Sequence, residues 1–169
     1  YGAHGTSHRF VSSEAAKYLG VNPEDGFKVI TCHLGNGSSI AAVKNGKCFD
    51  TSMSFTPLGG VPMGTRTGDL DPAILEYLAG KLNVDIKELV RICNKESGVS
   101  GVSGVSSDFR DLTNASKAGN HRAQLALDIF TYSCKKFVGS YSAVLGGADC
   151  IVFTAGIGEH DAAVRKAVA

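Results

Sequence analysis

The sequence predicts an α/β protein whose sheet contains strands of mixed direction. Three apolar segments follow one another near the start, and tight turns separate them, as in antiparallel hairpins. A fourth apolar segment, Cys150–Thr154, comes only after a block of helical sequence and is expected to be a buried strand. This order of strands, helices, strand and helix is typical of α/β layers.

The first predicted element is a short helix over Ser12–Leu19. Thr6 or Ser7 is expected to cap its N-terminus, and Gly20 is expected at the C′ position, where left-handed backbone ends a helix. Asn22–Gly26 has the composition of a turn, which is expected before the sheet begins.

Apolar runs and one turn signal predict the three strands of the first half. Phe27–Cys32 has almost no polar break, which predicts a central strand covered on both faces. A second strand is predicted at Ser38–Val43. Asn45-Gly46 then predicts a type I′ turn, because both central residues of that turn need positive φ. The third strand is expected to end near Ser52.

The second half is predicted to be mainly helical. Met53–Gly68 is a loop rich in Gly, Thr and Pro, and its length of about 16 residues makes it a functional candidate. Ser97–Ser107 repeats Gly-Val-Ser and is expected to be a loop of small residues. Helices are predicted at Pro72–Leu78 after Asp71, from Asn83 or Asp85 to about Asn94, at Asp108–Ala118, and at His121–Leu145 after Asn120. Gly146-Gly147 is expected to end the last of these, and a final helix is predicted from His160.

Composition and charge exclude several classes of protein. Hydrophobic residues make up 43% of the chain and charged residues 20%, which is ordinary for a globular domain and wrong for a disordered one. Lys and Arg number 17 against 16 Asp and Glu, so no electrostatic footprint for nucleic acid or an anionic membrane is expected. No apolar run approaches the roughly 18–20 residues of a membrane span.

The cysteines and the first residues predict a reducing, cytoplasmic location. The five cysteines are widely spaced without a Cys-x-x-Cys pair, which favours buried free thiols over disulfides or a zinc site. Tyr1–His4 lacks the layout of a signal peptide. The 169 residues suit one domain or one lobe, and the chain is expected to be a fragment because it opens inside a Gly/His motif and closes inside a predicted helix.

Two loop motifs are candidates for anion binding. In His33–Ser39, glycines let backbone N–H groups approach an anion closely, although a plain hairpin turn explains them equally well. In Met63–Asp69, Arg66 is flanked by Gly and Thr on a loop poor in charge. This setting suits bidentate hydrogen bonding to phosphate or carboxylate. A solvated surface arginine is the alternative.

Three further motifs have weaker signals. Thr154–Glu159 passes from a strand through Gly-x-Gly into a helix, but it lacks the complete dinucleotide fingerprint, and the chain has no P-loop. His4 and His8 are four residues apart, yet Gly5 and the lack of a third ligand favour phosphate contact by His4 over a metal site. Ser106–Asp111 reads as a helix cap.

Together these segments resemble the acetate kinases, a family of the actin/hexokinase-like phosphotransferase superfamily. The matching segments, in family order, are YGAHGTSHRFV, HLGNGSS, PMGTRTGDLDP, VSGVSSDFRDL and TAGIGE. The resemblance implies one lobe of an actin-like ATPase (RNase H-like) fold, with the three-stranded antiparallel sheet extended by the later strand and flanked by helices. It also implies that residues 1–169 form a single nucleotide-binding lobe.

The resemblance implies roles for particular residues. His4 would contact the transferring phosphoryl group, and Arg66 would clamp the acetate carboxylate. The residues implied to line the phosphates and substrate are His33, Asn36, Gly37, Gly64 and Thr65. The residues implied to hold the nucleotide are Asp108, Phe109, Arg110, Gly156, Ile157, Gly158 and Glu159. No metal ligand is implied within these residues, since the Mg²⁺ ligands are expected mostly outside the chain.

The implied reaction is reversible transfer of the γ-phosphoryl group of ATP to acetate, giving acetyl phosphate and ADP in a homodimeric enzyme. The segment alone is expected to have weak activity or none. A propionate or butyrate kinase remains an alternative because acyl length depends on pocket walls, and GTP or pyrophosphate could replace ATP as donor. A nucleotide-binding or dimerisation module without catalysis is the alternative from a different class.

Overall fold

One mixed sheet lies at the centre of the computed structural model, which describes residues 3–169; Tyr1 and Gly2 of the histidine segment lie outside the described residues. The strands are β1 (Lys28–Leu34), β2 (Ser38–Lys44), β3 (Lys47–Thr51) and β4 (Cys150–Thr154), arranged in the order β3-β2-β1-β4. β2 pairs antiparallel with β1 and β3, whereas β4 pairs parallel with β1. The predicted α/β class and the extension of a hairpin sheet by a later strand are confirmed.

The turn between β2 and β3 has the predicted type I′ character. Asn45 and Gly46 both have positive φ, at 54° and 70°. This hairpin fixes which residues of β2 face the core, because a shift of one residue would turn every side chain to the other face.

β1 is covered on both faces, as its unbroken apolar run predicts. Ile30, Cys32 and Leu34 are fully buried in the larger core. Val29 points to the opposite face, where it packs in a smaller core with Ala16 of the first helix. β4 is only half-buried, so the prediction of a buried strand is wrong; β1 is its one partner in the described sheet.

The helices surround this sheet. They are α1 (Gly5–Leu19), α2 (Ala73–Leu82), α3 (Ile86–Lys95), α4 (Gly98–Ser103), α5 (Phe109–Lys117), α6 (His121–Leu145), α7 (Ala155–His160) and α8 (Ala162–Val168). The cap predicted at Asn120 is confirmed, and within the predicted capping segment Ser106–Asp111 it is Asp108 that caps α5; each side chain accepts a hydrogen bond from the first turn of its helix. Asp85, one of two candidates, caps α3.

The start of α1 was predicted too late and with the wrong cap. The helix begins at Gly5, and His4 occupies the N-cap position with left-handed backbone instead of Thr6 or Ser7. Tertiary contacts explain the difference, because His8 and Ser12 lie four residues apart and are both buried.

Two predicted loops are helical. Gly98–Ser103, inside the Gly-Val-Ser repeat, forms α4, and the segment after β4 enters α7 directly at Ala155. Ala155 has a φ of 65°, so the sharp change from strand to helix falls on a residue whose Cβ disfavours that backbone.

All five cysteines are free thiols, as predicted. Cys32, Cys93 and Cys134 are buried, but Cys48 is exposed on β3, against the prediction of buried thiols. None of the helices formed between residues 3 and 169 is long and apolar enough to cross a membrane.

Candidate functional site

Three histidines meet where α1 begins beside the ends of β1 and β2. The rings of His4 and His33 stack with their centroids 4.0 Å apart. His8 lies one helical turn after His4 and is 5% exposed, with its Nδ1 2.7 Å from Thr31 Oγ1. Ser39 Oγ lies between the rings of His4 and His8, 2.8 Å from His4 Nδ1 and 2.7 Å from His8 Nε2.

These histidines are held neutral near physiological pH. Burial lowers the pKa of His4 from 6.5 to about 4, with smaller contributions from His33 and the Arg66 cation. Burial also lowers the pKa of His8 to about 4, helped by the neighbouring imidazoles. The pKa of His33 is lowered by burial as well, although the Glu159 carboxylate opposes this. His4 therefore offers the site a neutral hydrogen-bonding group.

Gly37 brings His4 and Arg66 together. A Cβ built on Gly37 would lie 3.4 Å from His4 Nε2 and 3.5 Å from Arg66 Nη1. The lack of a side chain therefore leaves a small space lined by one neutral imidazole and one guanidinium. A side chain at this position would occupy the place of an anion bound between them.

Arg66 is anchored by its loop. Its Nη1 donates to the Pro57 carbonyl at 3.1 Å and lies 3.6 Å from the Met63 sulfur. Met63 N donates to the Arg66 carbonyl at 3.0 Å, which closes a tight turn around Gly64 and Thr65. Among residues 3–169, Nε and Nη2 of this guanidinium have no hydrogen-bond partner, so it retains free donors while its position is fixed.

Gly64 and Thr65 join this loop to its neighbours. Gly64 N donates to the Asn36 carbonyl at 3.0 Å, and a Cβ on Gly64 would overlap the Asn36 side-chain oxygen. The Thr65 hydroxyl donates to the Asn94 carbonyl at 3.0 Å. Both residues therefore hold the arginine loop in place, and Thr65 uses its hydroxyl for that purpose.

A cleft of about 860 Å³ opens beside this centre. Its lining comes from the β1–β2 turn, the start of α5 and the segments around α7: Gly35, Asn36, Ser107, Asp108, Phe109, Arg110, Thr113, Asn114, Gly156, Ile157, His160 and Asp161. Its volume is in the range of small-molecule and cofactor sites. Predicted residues from positions 36, 108–110 and 156–157 thus share one cavity.

The start of α5 gives the cleft a charged rim and an apolar wall. Asp108 caps the helix and pairs with Arg110 at 2.6 Å, and this hydrogen bonding lowers the pKa of Asp108 to about 2. The Arg110 side chain is largely exposed, whereas the Asp108 side chain is 38% exposed. Phe109 is nearly buried and packs edge-on against Phe130 at 4.6 Å between centroids, which fixes the apolar wall.

The β4–α7 junction contributes only part of the predicted set. Gly156 and Ile157 line the cleft. Gly158 is buried against β1 and β4, since a Cβ there would lie 3.4 Å from the Phe153 carbonyl carbon. Glu159 Oε1 accepts from Thr154 Oγ1 and Ala155 N, both at 3.2 Å. Gly158 and Glu159 are thus not part of the cleft lining and support the junction.

Several cleft residues were missed by the sequence reading. On α5, Thr113 follows Phe109 by four residues and Asn114 follows Arg110 by four, so helical spacing places each beside a predicted cleft residue. His160 ends α7 and Asp161 follows it, whereas the sequence predicted the start of the last helix at His160. Only the structure could reveal that contribution.

The carboxylates around the cleft do not form a magnesium site. No group of three or more His, Cys, Asp or Glu side chains in residues 3–169 is arranged to hold a metal ion. Mg²⁺ beside a nucleotide usually takes one or two carboxylates as ligands, but Asp108 pairs with Arg110 and Asp161 caps α8. The carboxylates of the cleft therefore do not fit Mg²⁺, and no step of the reaction is assigned to the ion at this site.

The comparisons with known proteins agree over nearly the whole chain. A family model described as "Acetokinase family" matches residues 1–169. An acetate kinase of Clostridium novyi (strain NT) is 60% identical over 168 residues, covering 99% of this chain and 42% of the relative. An acetate kinase of Methanosarcina barkeri is 59% identical over 168 residues, covering 99% of this chain and 41% of the relative. The chain thus spans about two fifths of the length of these relatives.

Solved structures share the fold. An acetate kinase of Porphyromonas gingivalis matches with a TM-score of 0.95 and 48% identity, covering 98% of this chain and 41% of that one. A propionate kinase of Francisella tularensis matches with a TM-score of 0.93 and 45% identity, covering 99% and 43%. These likenesses confirm the predicted actin-like ATPase fold.

Proposed function

The chain belongs to the acetokinase family, and from this premise we propose that it is the nucleotide-binding lobe of an acetate kinase. The complete enzyme would transfer the γ-phosphoryl group of ATP to acetate, reversibly, giving acetyl phosphate and ADP. It would act in the cytoplasm as a homodimer, with Mg²⁺ bound mostly by residues outside this segment. Alone, the 169 residues would bind nucleotide with weak catalysis or none.

The β1–β2 turn carries the proposal, because it connects the cleft with the His4/Arg66 pair. Gly35 and Asn36 line the cleft, and the next residue, Gly37, lies against His4 Nε2 and Arg66 Nη1. A nucleoside in the cleft would therefore extend its phosphates along this turn. The terminal phosphate would reach the space between the imidazole and the guanidinium.

The groups at that end suit phosphoryl transfer. The reaction spreads negative charge over the transferred group, so positioning and cationic or N–H donors contribute most. Arg66 would hold the carboxylate through its free donors and neutralise developing charge. His4, held neutral by burial, would donate from one ring nitrogen.

Binding is tested by thermal unfolding of the 169-residue chain with increasing ATP. At a hundred times the dissociation constant, a ligand of the folded state adds about 2.7 kcal/mol. For a domain of this size, that raises the melting temperature by roughly 5–10 °C. Asn36→Ala, which removes a cleft side chain, is expected to reduce the shift, whereas the exposed helix variant Gly80→Ala is the matched control. A cooperative melt that ignores ATP contradicts nucleotide binding by this lobe.

Turnover is tested in a chimera. The 169 residues replace the matching segment of the Clostridium novyi acetate kinase, and acetyl phosphate formation is measured. Arg66→Ala is expected to lower kcat/KM by at least about a thousandfold if the guanidinium binds substrate. A folded chimera whose activity does not change with Arg66→Ala contradicts the assigned site.

The likeness to a propionate kinase keeps a second candidate, since its structure is 45% identical to this chain. One added methylene in an apolar pocket is worth only about 1–3 kcal/mol. Comparing kcat/KM for acetate, propionate and butyrate in the chimera distinguishes the two. A chain that binds ATP but supports no turnover in the chimera favours the non-catalytic module.

A further inference from the structure

Four polar side chains form an unbroken hydrogen-bonded series that ends at the proposed reaction centre. Thr31 Oγ1 lies 2.7 Å from His8 Nδ1, and His8 Nε2 lies 2.7 Å from Ser39 Oγ. Ser39 Oγ lies 2.8 Å from His4 Nδ1. The remaining nitrogen, His4 Nε2, faces Gly37 beside Arg66. The series therefore leads from the sheet interior to the space for an anion.

Neutral imidazoles restrict how protons can be arranged along this series. A neutral ring has one N–H donor and one acceptor nitrogen, and each hydroxyl donates only one hydrogen. Because a hydroxyl can also accept two hydrogen bonds, all three contacts can be satisfied in three ways. In the first, every group donates toward His4, which leaves a proton on His4 Nε2. In the second, every group donates toward Thr31, and in the third both rings donate to Ser39; each of these leaves His4 Nε2 bare.

We propose that His8 is a positioning residue, acting through Ser39 to hold His4 in the tautomer that carries its proton on Nε2. This inference rests on the proposed function, because an oxyanion beside His4 Nε2 requires a donor there. The Thr31 hydroxyl donates to His8 Nδ1, His8 Nε2–H donates to Ser39, and the Ser39 hydroxyl donates to His4 Nδ1. His4 Nε2–H is then free to donate to the phosphoryl oxygen.

The competing acceptors in this region are weaker. Thr31 Oγ1 lies 3.4 Å from the Ala41 carbonyl, and Ser39 Oγ lies 3.5 Å from the Ala3 carbonyl. Both distances are long for an O–H···O bond, whose usual length is about 2.7–2.8 Å. In each arrangement that leaves His4 Nε2 bare, a buried hydroxyl hydrogen of Thr31 or Ser39 has only one of these long contacts, which favours the arrangement in which every group donates toward His4.

Burial makes the direction of the series matter. Thr31 and Ser39 are fully buried and His8 is 5% exposed, so water is excluded from the inner part of the series. A buried donor or acceptor that loses its partner costs about 1–3 kcal/mol. Changing one member therefore changes the proton distribution of the next, up to His4.

The experiment is a double-mutant cycle in the chimera. His8→Phe and Ser39→Ala each break the series, and each is expected to lower kcat about 10- to 100-fold with little change in KM for ATP. Because both act through one series, the double variant is expected to be no slower than the slower single variant. His8→Gln, whose amide can donate to Ser39 and accept from Thr31, is expected to recover most of the lost kcat.

Direct observation of the tautomer completes the test. In protein labelled with ¹⁵N-histidine, the nitrogen chemical shifts distinguish a protonated ring nitrogen from a bare one. We expect the proton of His4 on Nε2 in the presence of ATP, and its redistribution to Nδ1 in Ser39→Ala. A proton on Nδ1 in the unmodified protein with ATP, multiplicative effects of the two variants, or no recovery by His8→Gln would each overturn the proposal. An inactive parent chimera counts against the proposed function, and the tautomer measurement then decides the inference by itself.

Discussion

Gly98→Ala tests whether α4 fixes the loop that carries Arg66. A Cβ on Gly98 would lie 2.2 Å from the Met63 carbonyl oxygen and 2.7 Å from the Arg66 carbonyl oxygen. Real Cβ atoms do not approach backbone atoms so closely, so either the loop or the helix must move. Gly98 also has a φ of 60°, where an L-residue is strained.

The expected cost combines two effects. Left-handed backbone costs an alanine about 1–2 kcal/mol, and forcing a methyl group into packed surroundings costs about 1–3 kcal/mol more. Together they lower the free energy of unfolding by about 2–5 kcal/mol. For a domain of 150–250 residues, this corresponds to a fall in melting temperature of roughly 4–20 °C.

Gly104→Ala is the matched control for the backbone effect. Gly104 ends the same helix with a φ of 67°, but a Cβ there would meet only the Arg122 guanidinium, at 3.4 Å or more. Its expected cost is therefore the strain alone, about 1–2 kcal/mol. Gly139→Ala, with no neighbour within 4 Å inside α6, is expected to stabilise by about 0.5–1 kcal/mol.

The assay is urea unfolding of the three variants beside the unmodified chain. In the chimera, Gly98→Ala is also expected to raise KM for acetate, because the displaced backbone carries Arg66. If Gly98→Ala costs no more than Gly104→Ala, the clash with the arginine loop has no energetic weight, and α4 does not fix that loop.

Three further predictions concern pH, charge and packing. Between pH 6.5 and 4 the free energy of unfolding is expected to fall with falling pH, because His8 binds protons with a pKa of about 4 when folded and 6.5 when unfolded. This pKa difference amounts to roughly 3 kcal/mol for the buried His8 ring, and the half-exposed His4 adds less. Urea unfolding at a series of pH values measures the dependence, and His8→Gln is expected to reduce its slope. A free energy of unfolding that does not change over this pH range contradicts the prediction. Arg66→Lys keeps the charge but loses the planar fork, so kcat/KM in the chimera is expected to fall about a hundredfold or more while thermal unfolding stays within about 3 °C; unchanged kinetics would mean that charge alone suffices. Phe109→Ala removes the ring that packs on Phe130 and is expected to cost about 3–5 kcal/mol in urea unfolding, with Phe109→Leu costing clearly less; equal costs would contradict the ring contact.

The hairpin between β2 and β3 and the cap of α6 could be predicted from the sequence because their signals are local. Asn45-Gly46 specifies the hairpin by the positive φ that both residues adopt. The Asn120 side chain caps α6 by accepting hydrogen bonds from the amides of Arg122 and Ala123, which follow it by two and three residues. Such signals act within a few residues, so they survive without knowledge of the tertiary structure.

The helix starts were missed where distant contacts decide them. α1 extends back to Gly5 because His8 contacts Thr31 and Ser39, which are 23 and 31 residues away. Likewise, His160 lines the cleft only because of the direction that α7 takes after β4. No periodicity within either segment contains that information.

The candidate site was predicted in part for the same reason. The glycine motifs singled out Gly37, where a Cβ would lie 3.4 Å from His4 Nε2, and Gly156, which lines the cleft with open space at its Cβ position. They did not separate residues that face the cleft from residues that support it, such as Gly158 and Thr65. Whether a glycine or threonine faces the cleft or supports it depends on the atoms that it contacts, and these atoms belong to other segments of the chain.

The Gly-Val-Ser repeat holds the arginine loop through backbone hydrogen bonds. Ser97 makes no side-chain cap for α4, but the arginine loop accepts hydrogen bonds from three amides at the start of this helix. Ser97 N, Val99 N and Ser100 N donate to the carbonyls of Thr65, Met63 and Gly64 at 2.9–3.0 Å. The arginine loop thus caps the helix, and the helix in turn fixes the loop. Such mutual capping needs close approach of two backbones, which larger side chains would prevent. The repeat is therefore explained by the position of Arg66, on a loop that lacks regular secondary structure but has little freedom to move.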